Sequence, residues 1–307
     1  MKLKLGAKWA AAAGLAALLA GCGTGKAPGA PGRRQIVATY PILAAVVRDL
    51  AGDAFEVRSA MPSGADVHEW EPSARDMETL THADLIVQNG LGLEGGMEKA
   101  LDQARRAGAP VFTAGAHIAA RRVGPGEGIP SGDPDQAVGA QDPHLWTDPL
   151  ALKAVVDALA ADLKQRFGTD LEPRRADLGA RLTALDQEIR ARVEALPPAR
   201  RKLVTGHESL GYFAQRYGFK LVGAVIPSLT SEAEGSAAAL ESLKQLIRQN
   251  QVTVVFTELG TPPRTVDALA RDAKVRAVPL ATHTLPPDGS YFTFERQLAD
   301  TIIGSLR

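Results

Sequence analysis

The segment 172–197 reads EPRRADLGARLTALDQEIRARVEALP, and it determines how the sequence on either side is interpreted. Six apolar residues follow one another in it at spacings of 4, 3, 4, 4 and 3, which places them on one helix face: Leu178, Leu182, Leu185, Ile189, Val193 and Leu196. Pro173 stands near the start, where proline is tolerated, and Pro197 with Pro198 stops the pattern. We therefore predict one continuous helix over 172–197.

Short strand-like runs alternate with helical segments on both sides of this helix. The runs before it are 36–40, 55–61, 85–88 and 111–113, and the runs after it are 202–205, 220–225, 252–257 and 275–280. Alternation of this kind predicts βαβ units and mostly parallel sheets. We predict an α/β fold with two Rossmann-like lobes, residues 35–171 and 198–307, joined by one long rigid helix at 172–197.

The N-terminal segment has the pattern of an export signal. Three lysines precede a short apolar run at 9–20, whereas a membrane-spanning helix needs roughly 20 apolar residues. The sequence Leu-Ala-Gly-Cys at 19–22 resembles the bacterial lipobox, and Cys22 is the only cysteine. We predict a signal peptide over 1–21 and a lipidated flexible tether over 22–34. The protein is then exported and lipid-anchored to the bacterial membrane through Cys22, facing the periplasm or the cell exterior.

The overall composition excludes one class of partner. Lys and Arg together number 35, and so do Asp and Glu, so the formal net charge is zero. A nucleic-acid partner normally leaves a strongly basic surface. With the single cysteine lipidated, no disulfide is available, and the folded part depends on its core alone. We predict no nucleic-acid partner, and a monomer.

Four of the six histidines lie at strand ends or at junctions between elements, namely His68, His144, His207 and His283. Ligand sites of open α/β sheets gather at such positions, although dispersed histidines are by spacing alone a weak signal for a metal. We interpret the other two, His82 and His117, as structural or surface residues. Four neighbouring acids are predicted either to accept hydrogen bonds from the ligand rings or to cap the helices that follow: Asp66, Glu69, Glu208 and Glu258.

The runs around three of these histidines closely resemble signatures of one family, the zinc- and manganese-binding solute-binding lipoproteins of ABC importers (the TroA-like group). They are Asp66-x-His68-x-x-Glu71-Pro72, Asp142-Pro143-His144-x-Trp146-x-Asp148-Pro149 and His207-x-x-x-Gly211-Tyr212-Phe213. The resemblance covers almost the whole chain. It implies a metal bound in the cleft between the two lobes, and delivery to an ABC-transporter permease with its ATPase.

The resemblance also implies the ligands, which carry over onto His68, His144, His207 and a fourth position just after the last strand. That position is usually an aspartate in the family. Here the matching residue is His283, and Asp288 is the alternative.

The donor atoms favour one of the family's two main metals. Imidazole nitrogens suit zinc, whereas manganese prefers carboxylate oxygens. In the family that this chain resembles, the manganese-binding members have a glutamate at the position of His207. Against zinc, many zinc-binding members carry a histidine-rich loop, and the loop at 123–141 contains no histidine. We predict Zn²⁺ as the bound metal, with Mn²⁺ as the runner-up.

A zinc-dependent hydrolase is the alternative from a different class, with Glu208 or Glu69 as general base beside an open coordination position. The sequence contains no HExxH pattern, no nucleophile elbow and no phosphate-binding glycine loop to support it. A surface adhesin is permitted by the lipid anchor, but no particular residue supports it. We therefore predict a metal-binding transport protein that is not an enzyme.

Overall fold

The computed structural model describes residues 33–127, 137–233 and 236–307. The predicted signal peptide, the lipidated Cys22 and the tether up to Gly32 lie outside these residues and stay predictions. None of the described helices is both long enough and apolar enough to cross a membrane.

The N-terminal half contains a four-stranded parallel sheet. Its strands are β1 (Gln35–Ala38), β2 (Glu56–Ser59), β3 (Leu85–Gln88) and β4 (Val111–Thr113), in the spatial order β2-β1-β3-β4. The two central strands are the most apolar and the most buried, as expected when helices cover both faces. The helices that follow the first three strands are α1 (Pro41–Ala51), α2 (Ala74–Thr81) and α3 (Glu98–Arg106).

The C-terminal half repeats this arrangement. Its parallel strand pairs are β5 (Lys202–Thr205) with β6 (Lys220–Ala224) and β7 (Val254–Thr257) with β8 (Arg276–Pro279). Strand β5 contacts β7, so the neighbours run β6-β5-β7-β8, which is the order of the first sheet. Its helices are α6 (Gly211–Tyr217), α7 (Ala237–Gln249) and α8 (Pro263–Ala273). The predicted α/β class with parallel sheets is confirmed.

Three further helices pack together beside the two sheets. They are α4 (Pro149–Phe167), α5 (Glu172–Glu194) and α9 (Tyr291–Leu306). Helix α5 contacts α1 and α4 of the first half and α9 of the second. At about 1.5 Å per residue it extends for roughly 34 Å, long enough to run beside both sheets. One continuous apolar core consequently includes residues from Ile36 to Leu306.

The sequence predicted these elements with small errors at their ends. Helix α5 stops at Glu194 rather than at residue 197, because the chain turns at Ala195 before Pro197 and Pro198. Helix α8 was not predicted. It begins with Pro263 and buries Val266 and Leu269.

Candidate metal centre

The four histidines at strand ends come together at one place. His68 follows β2, and His144 directly precedes the short 3₁₀ turn Leu145–Thr147 that leads into α4. His207 follows β5, and His283 follows β8. In parallel sheets the carboxyl ends of the strands share one edge, so loops that are distant in sequence converge there.

The ring nitrogens of these four residues have the spacing of a metal shell. One ligand atom from each lies within 4.8 Å of all the others, and all four residues are buried. The Nε2 atom of His144 lies 3.3 Å from that of His68 and 3.2 Å from that of His207. Zinc–nitrogen bonds of about 2.0–2.1 Å in a tetrahedron place neighbouring nitrogens about 3.3 Å apart. The two separations that involve His144 therefore match those of a tetrahedral shell.

The Nε2 atom of His283 adds a second sign that a ligand belongs here. It is buried and has no hydrogen-bond partner among the described residues, while its other ring nitrogen lies 3.1 Å from the Thr282 hydroxyl. Buried polar atoms without a partner are uncommon in native structures and need an explanation. A metal ion bound between the four rings supplies that partner.

Asp142 supports His144 from behind. Its Oδ1 atom lies 2.9 Å from Nδ1 of His144 and also accepts the backbone N–H of His144 at 2.9 Å. A hydrogen bond from Nδ1–H to this carboxylate leaves the Nε2 lone pair facing the other histidines. Asp142 lies within one of the family signatures, but its contact with the site was not predicted from the sequence.

Glu258 lies beside His207 as its ion-pair partner, without the hydrogen-bond geometry that Asp142 has toward His144. Its Oε2 atom lies 3.2 Å from Nδ1 of His207, and both residues are buried. The same oxygen accepts hydrogen bonds from the hydroxyls of Ser209 at 2.6 Å and Thr282 at 3.0 Å, and Oε1 accepts the N–H of Gly206 at 3.0 Å. Glu258 directly follows β7 and His207 follows β5, the two central strands of this half, so the topology brings them together.

Asp66 joins the two halves beside His68. Its Oδ1 atom accepts the backbone N–H of His68 at 3.0 Å, and its Oδ2 atom accepts the Ser231 hydroxyl at 2.8 Å. A further link crosses the halves behind the histidines, where the Trp146 indole N–H donates to the Thr282 carbonyl oxygen at 2.9 Å. The loops that carry the histidines are thus fastened to each other.

The remaining predicted residues lie elsewhere. Glu69 is exposed, and Glu208 is partly exposed, with its backbone N–H donating to the Ser228 carbonyl oxygen at 2.9 Å. Asp288 is exposed and accepts hydrogen bonds from the Ser290 N–H at 3.0 Å and the Thr293 hydroxyl at 2.6 Å, at the start of α9. The structure therefore places His283, and not Asp288, among the four converging residues.

The protonation of the histidines differs around the centre. Burial, together with repulsion from the neighbouring rings, lowers the pKa of His68 and of His144 well below the usual value, and it lowers that of His283 to about 4. Burial acts in the same direction on His207, but the Glu258 carboxylate outweighs it and raises the pKa of His207. Neutral imidazole is the form that binds a metal, so the raised pKa makes His207 the ring of the four that keeps a proton to the highest pH.

Comparison with known proteins identifies the family. The model of the ZnuA family, described as zinc-uptake complex component A, periplasmic, matches residues 36–304. The chain belongs to this family.

Two curated relatives of this ZnuA-family chain bind different metals according to their names. The zinc-binding protein TroA of Treponema pallidum is 31% identical over 80% of this chain and 76% of its own length. The manganese ABC transporter substrate-binding lipoprotein PsaA of Streptococcus anginosus is 26% identical over 94% of both chains.

A solved structure agrees with the fold. The periplasmic zinc-binding protein TroA from Treponema pallidum aligns with this ZnuA-family chain at a TM-score of 0.77 and 26% identity, covering 90% of this chain and 99% of that one. The predicted family resemblance and fold class are thereby confirmed. The chain is a member of a family of periplasmic metal-binding components of ABC importers, which are substrate-binding proteins of transport systems.

Proposed function

We propose that this protein captures Zn²⁺ outside the cytoplasmic membrane and delivers it to an ABC permease with its ATPase. The observation that carries the proposal is the set of four buried histidines, His68, His144, His207 and His283, whose ring nitrogens lie within 4.8 Å of one another. Two come from each half of the chain. Zn²⁺ bound by all four holds the halves together, and separating the halves breaks its coordination shell.

The choice of zinc rests on the donor atoms. Four neutral imidazole nitrogens suit zinc, whereas manganese favours carboxylate and carbonyl oxygens. Two buried carboxylates lie on the Nδ1 side of these rings: Asp142 is hydrogen-bonded to His144, and Glu258 is ion-paired with His207. These acids orient the rings and offset the charge of the cation, and the rings bind it.

The same shell argues for transport rather than hydrolysis. A catalytic zinc keeps one coordination position open for water, and three protein ligands are usual in such sites. Four histidines fill a tetrahedral shell, and each is at most 3% exposed to solvent. A cation enclosed in this way is sequestered for transfer.

The membrane anchor completes the proposal. The lipobox-like sequence at 19–22 and the 22–34 tether support attachment through lipidated Cys22, and the PsaA relative is named a lipoprotein. The protein then acts as a monomer at the outer surface of the cytoplasmic membrane. Cys22→Ser is expected to move the protein from the membrane fraction to the soluble fraction of expressing bacteria. Unchanged membrane association of this variant contradicts the lipid anchor.

Metal competition tests the metal assignment. Metal-stripped protein is dialysed against equimolar Zn²⁺ and Mn²⁺, and the retained metals are counted by elemental analysis, with calorimetry of each metal alone. We expect one Zn²⁺ per chain and displacement of Mn²⁺. Absence of zinc uptake overturns the proposal, and retention of Mn²⁺ in the presence of Zn²⁺ assigns the protein to manganese instead.

A further inference from the structure

A buried arginine, Arg121, forms an ion pair with Asp142, the residue that is hydrogen-bonded to His144. The Asp142 carboxylate uses its Oδ1 atom for His144, and its Oδ2 atom accepts a hydrogen bond from Nη1 of Arg121 at 3.1 Å. The Arg121 side chain is 5% exposed and that of Asp142 is fully buried. A carboxylate in this position is costly without a cation, and among the described residues Arg121 is the one arginine or lysine that forms an ion pair with it.

Arg121 is itself held at several points. Its Nη2 atom donates to the Glu127 carboxylate, and its backbone N–H donates to the Tyr212 hydroxyl at 2.9 Å. Gly211, the residue before Tyr212, packs against the pair so closely that a Cβ atom there would overlap both Asp142 and Arg121. The ion pair is thus sealed by α6 on one side and by the segment that contains Glu127 on the other.

Arg121 and Asp142 are also joined through their backbones. The Asp142 N–H donates to the Arg121 carbonyl oxygen at 2.9 Å, and the next residues, Arg122 and Gln141, form an antiparallel bridge. The chain therefore leaves at Arg121 and returns at Asp142, two residues before the ligand His144. Backbone and side-chain contacts therefore both tie the described residues 122–127 and 137–141 to the metal centre.

We propose that Arg121 is a positioning residue for metal binding, which ties the adjoining residues 122–127 and 137–141 to the ligand His144 through Asp142. This inference rests on the proposed function. The planar guanidinium has separate N–H groups for Asp142 and for Glu127, so one side chain fixes both carboxylates. With Oδ2 held by Arg121, the carboxylate of Asp142 keeps Oδ1 directed at Nδ1 of His144.

The arrangement has a measurable consequence for the His144 ring. A carboxylate directed at Nδ1 selects the tautomer with the proton on Nδ1, which leaves Nε2 as the donor to the cation. Losing Arg121 frees Asp142 to rotate and mixes the two tautomers. Partners of metal ligands at this distance typically contribute 10- to 100-fold to metal affinity.

Arg121→Met tests the proposal, with Arg122→Met as the matched control. Arg122 lies next in the chain and donates to the Gly139 carbonyl oxygen, and its side chain is exposed. Imidazole ¹⁵N spectra of the metal-free full chain give the His144 tautomer, and chelator competition gives the Zn²⁺ affinity. We expect Arg121→Met to mix the tautomers and to weaken Zn²⁺ binding about tenfold, with wild-type behaviour for Arg122→Met.

Equal tautomer populations and equal affinity in the two methionine variants overturn the proposal. Should Arg121→Met not fold, Arg121→Lys provides the test, since lysine offers one ammonium group and cannot hold Asp142 and Glu127 in the same fork. We expect an intermediate loss of affinity, and a lysine variant identical to wild type overturns the proposal. The tautomer measurement needs no metal, so it tests this inference even if the wild-type protein binds no zinc.

Discussion

The two halves of the metal centre balance their charge differently. In the N-terminal half, the acid behind His144 is Asp142, which is paired with Arg121. In the C-terminal half, the acid behind His207 is Glu258, and the ion pair that the described residues give it is with His207 itself. In the N-terminal half, the charge of Asp142 is therefore balanced by Arg121. In the C-terminal half, among the described residues, the charge of Glu258 is balanced by a protonated His207 or by the cation that His207 binds.

The pKa values express this contrast. Burial raises the pKa of Asp142 to about 6 in spite of Arg121, because the carboxylate lies in a fully enclosed site. Burial acts in the same direction on Glu258, but the His207 ring and several hydrogen-bond donors hold the pKa of this carboxylate at about 2. Both carboxylates are therefore mainly ionised at neutral pH, and the lower pKa of Glu258 reflects its ion pair with His207.

The largest expected effect comes from removing one ligand from each half. His144→Ala and His207→Ala should each weaken Zn²⁺ binding by orders of magnitude, because each leaves three nitrogens and admits water to the shell. Calorimetry with chelator competition measures the loss. If one of the two variants keeps wild-type affinity, its half of the centre does not bind the metal, and the shared site is wrong.

The sequence predicted the parts of the site that depend on local signals. The apolar face around α5 repeats over about five turns, so its period is clear. Three of the four histidines follow strand ends, and His144 stands at the junction before α4. Asp66 and Asp142 share a further signal, since each stands two residues before a histidine and accepts that histidine's backbone N–H. This Asp-x-His pattern is typical of an Asx turn, and from it the contact of Asp142 with His144 could have been predicted.

Other features needed the tertiary structure. Glu69 and Glu208 each directly follow a proposed ligand in the sequence, yet Glu69 is exposed and Glu208 partly so, because adjacent residues in these loops face different directions. Glu258 lies 51 positions after His207 and contacts it only because β5 and β7 are neighbours. The choice of His283 over Asp288 likewise depends on where α9 begins, which the spacing of residues did not fix.

The second-largest loss of Zn²⁺ affinity is expected from changing Asp142 and Glu258, the acids that contact His144 and His207. Asp142→Asn and Glu258→Gln keep the side-chain shapes but remove a charged acceptor from His144 and from His207. Each substitution should lower Zn²⁺ affinity about 10- to 100-fold, measured at pH 8 to limit competition from protons. An unchanged affinity in either variant would show that the corresponding acid only stabilises the fold.

The release of a proton on Zn²⁺ binding distinguishes the role of Glu258 from that of Asp142. The pKa of His207 is raised, so in the window between the ordinary value of about 6.5 and the raised value this ring still holds a proton in the metal-free protein, and Zn²⁺ must displace it. The rings of His68, His144 and His283 have lowered pKa values and stay neutral in that window. Affinity should therefore fall about tenfold per pH unit as the pH drops below the raised value, with one proton released per Zn²⁺.

Calorimetry in buffers of different ionisation enthalpy counts that proton near neutral pH. Glu258→Gln should abolish its release, because the carboxylate that raises the pKa of His207 is gone, whereas Asp142→Asn should retain it. Proton release that is unaffected by Glu258→Gln, or a Zn²⁺ affinity independent of pH between 6 and 8, would contradict the assignment of the proton to His207.

The smallest expected effect concerns the link between the halves. Ser231→Ala removes the hydrogen bond to Asp66 that crosses from the C-terminal half. A single hydrogen bond contributes roughly 1 kcal/mol, so Zn²⁺ should dissociate about fivefold faster in this variant. Stopped-flow chelation measures the rate, and Ser242→Ala, at an exposed site on α7, is the control. Equal rates in the two variants would show that this link does not hold the halves closed.

X-ray absorption at the zinc edge of the loaded protein tests the four-histidine centre most directly. We predict a shell of four nitrogens at about 2.0 Å with the outer scattering of four imidazole rings. A shell of five or six ligands, or a carboxylate oxygen in place of one ring, would contradict the centre formed by His68, His144, His207 and His283.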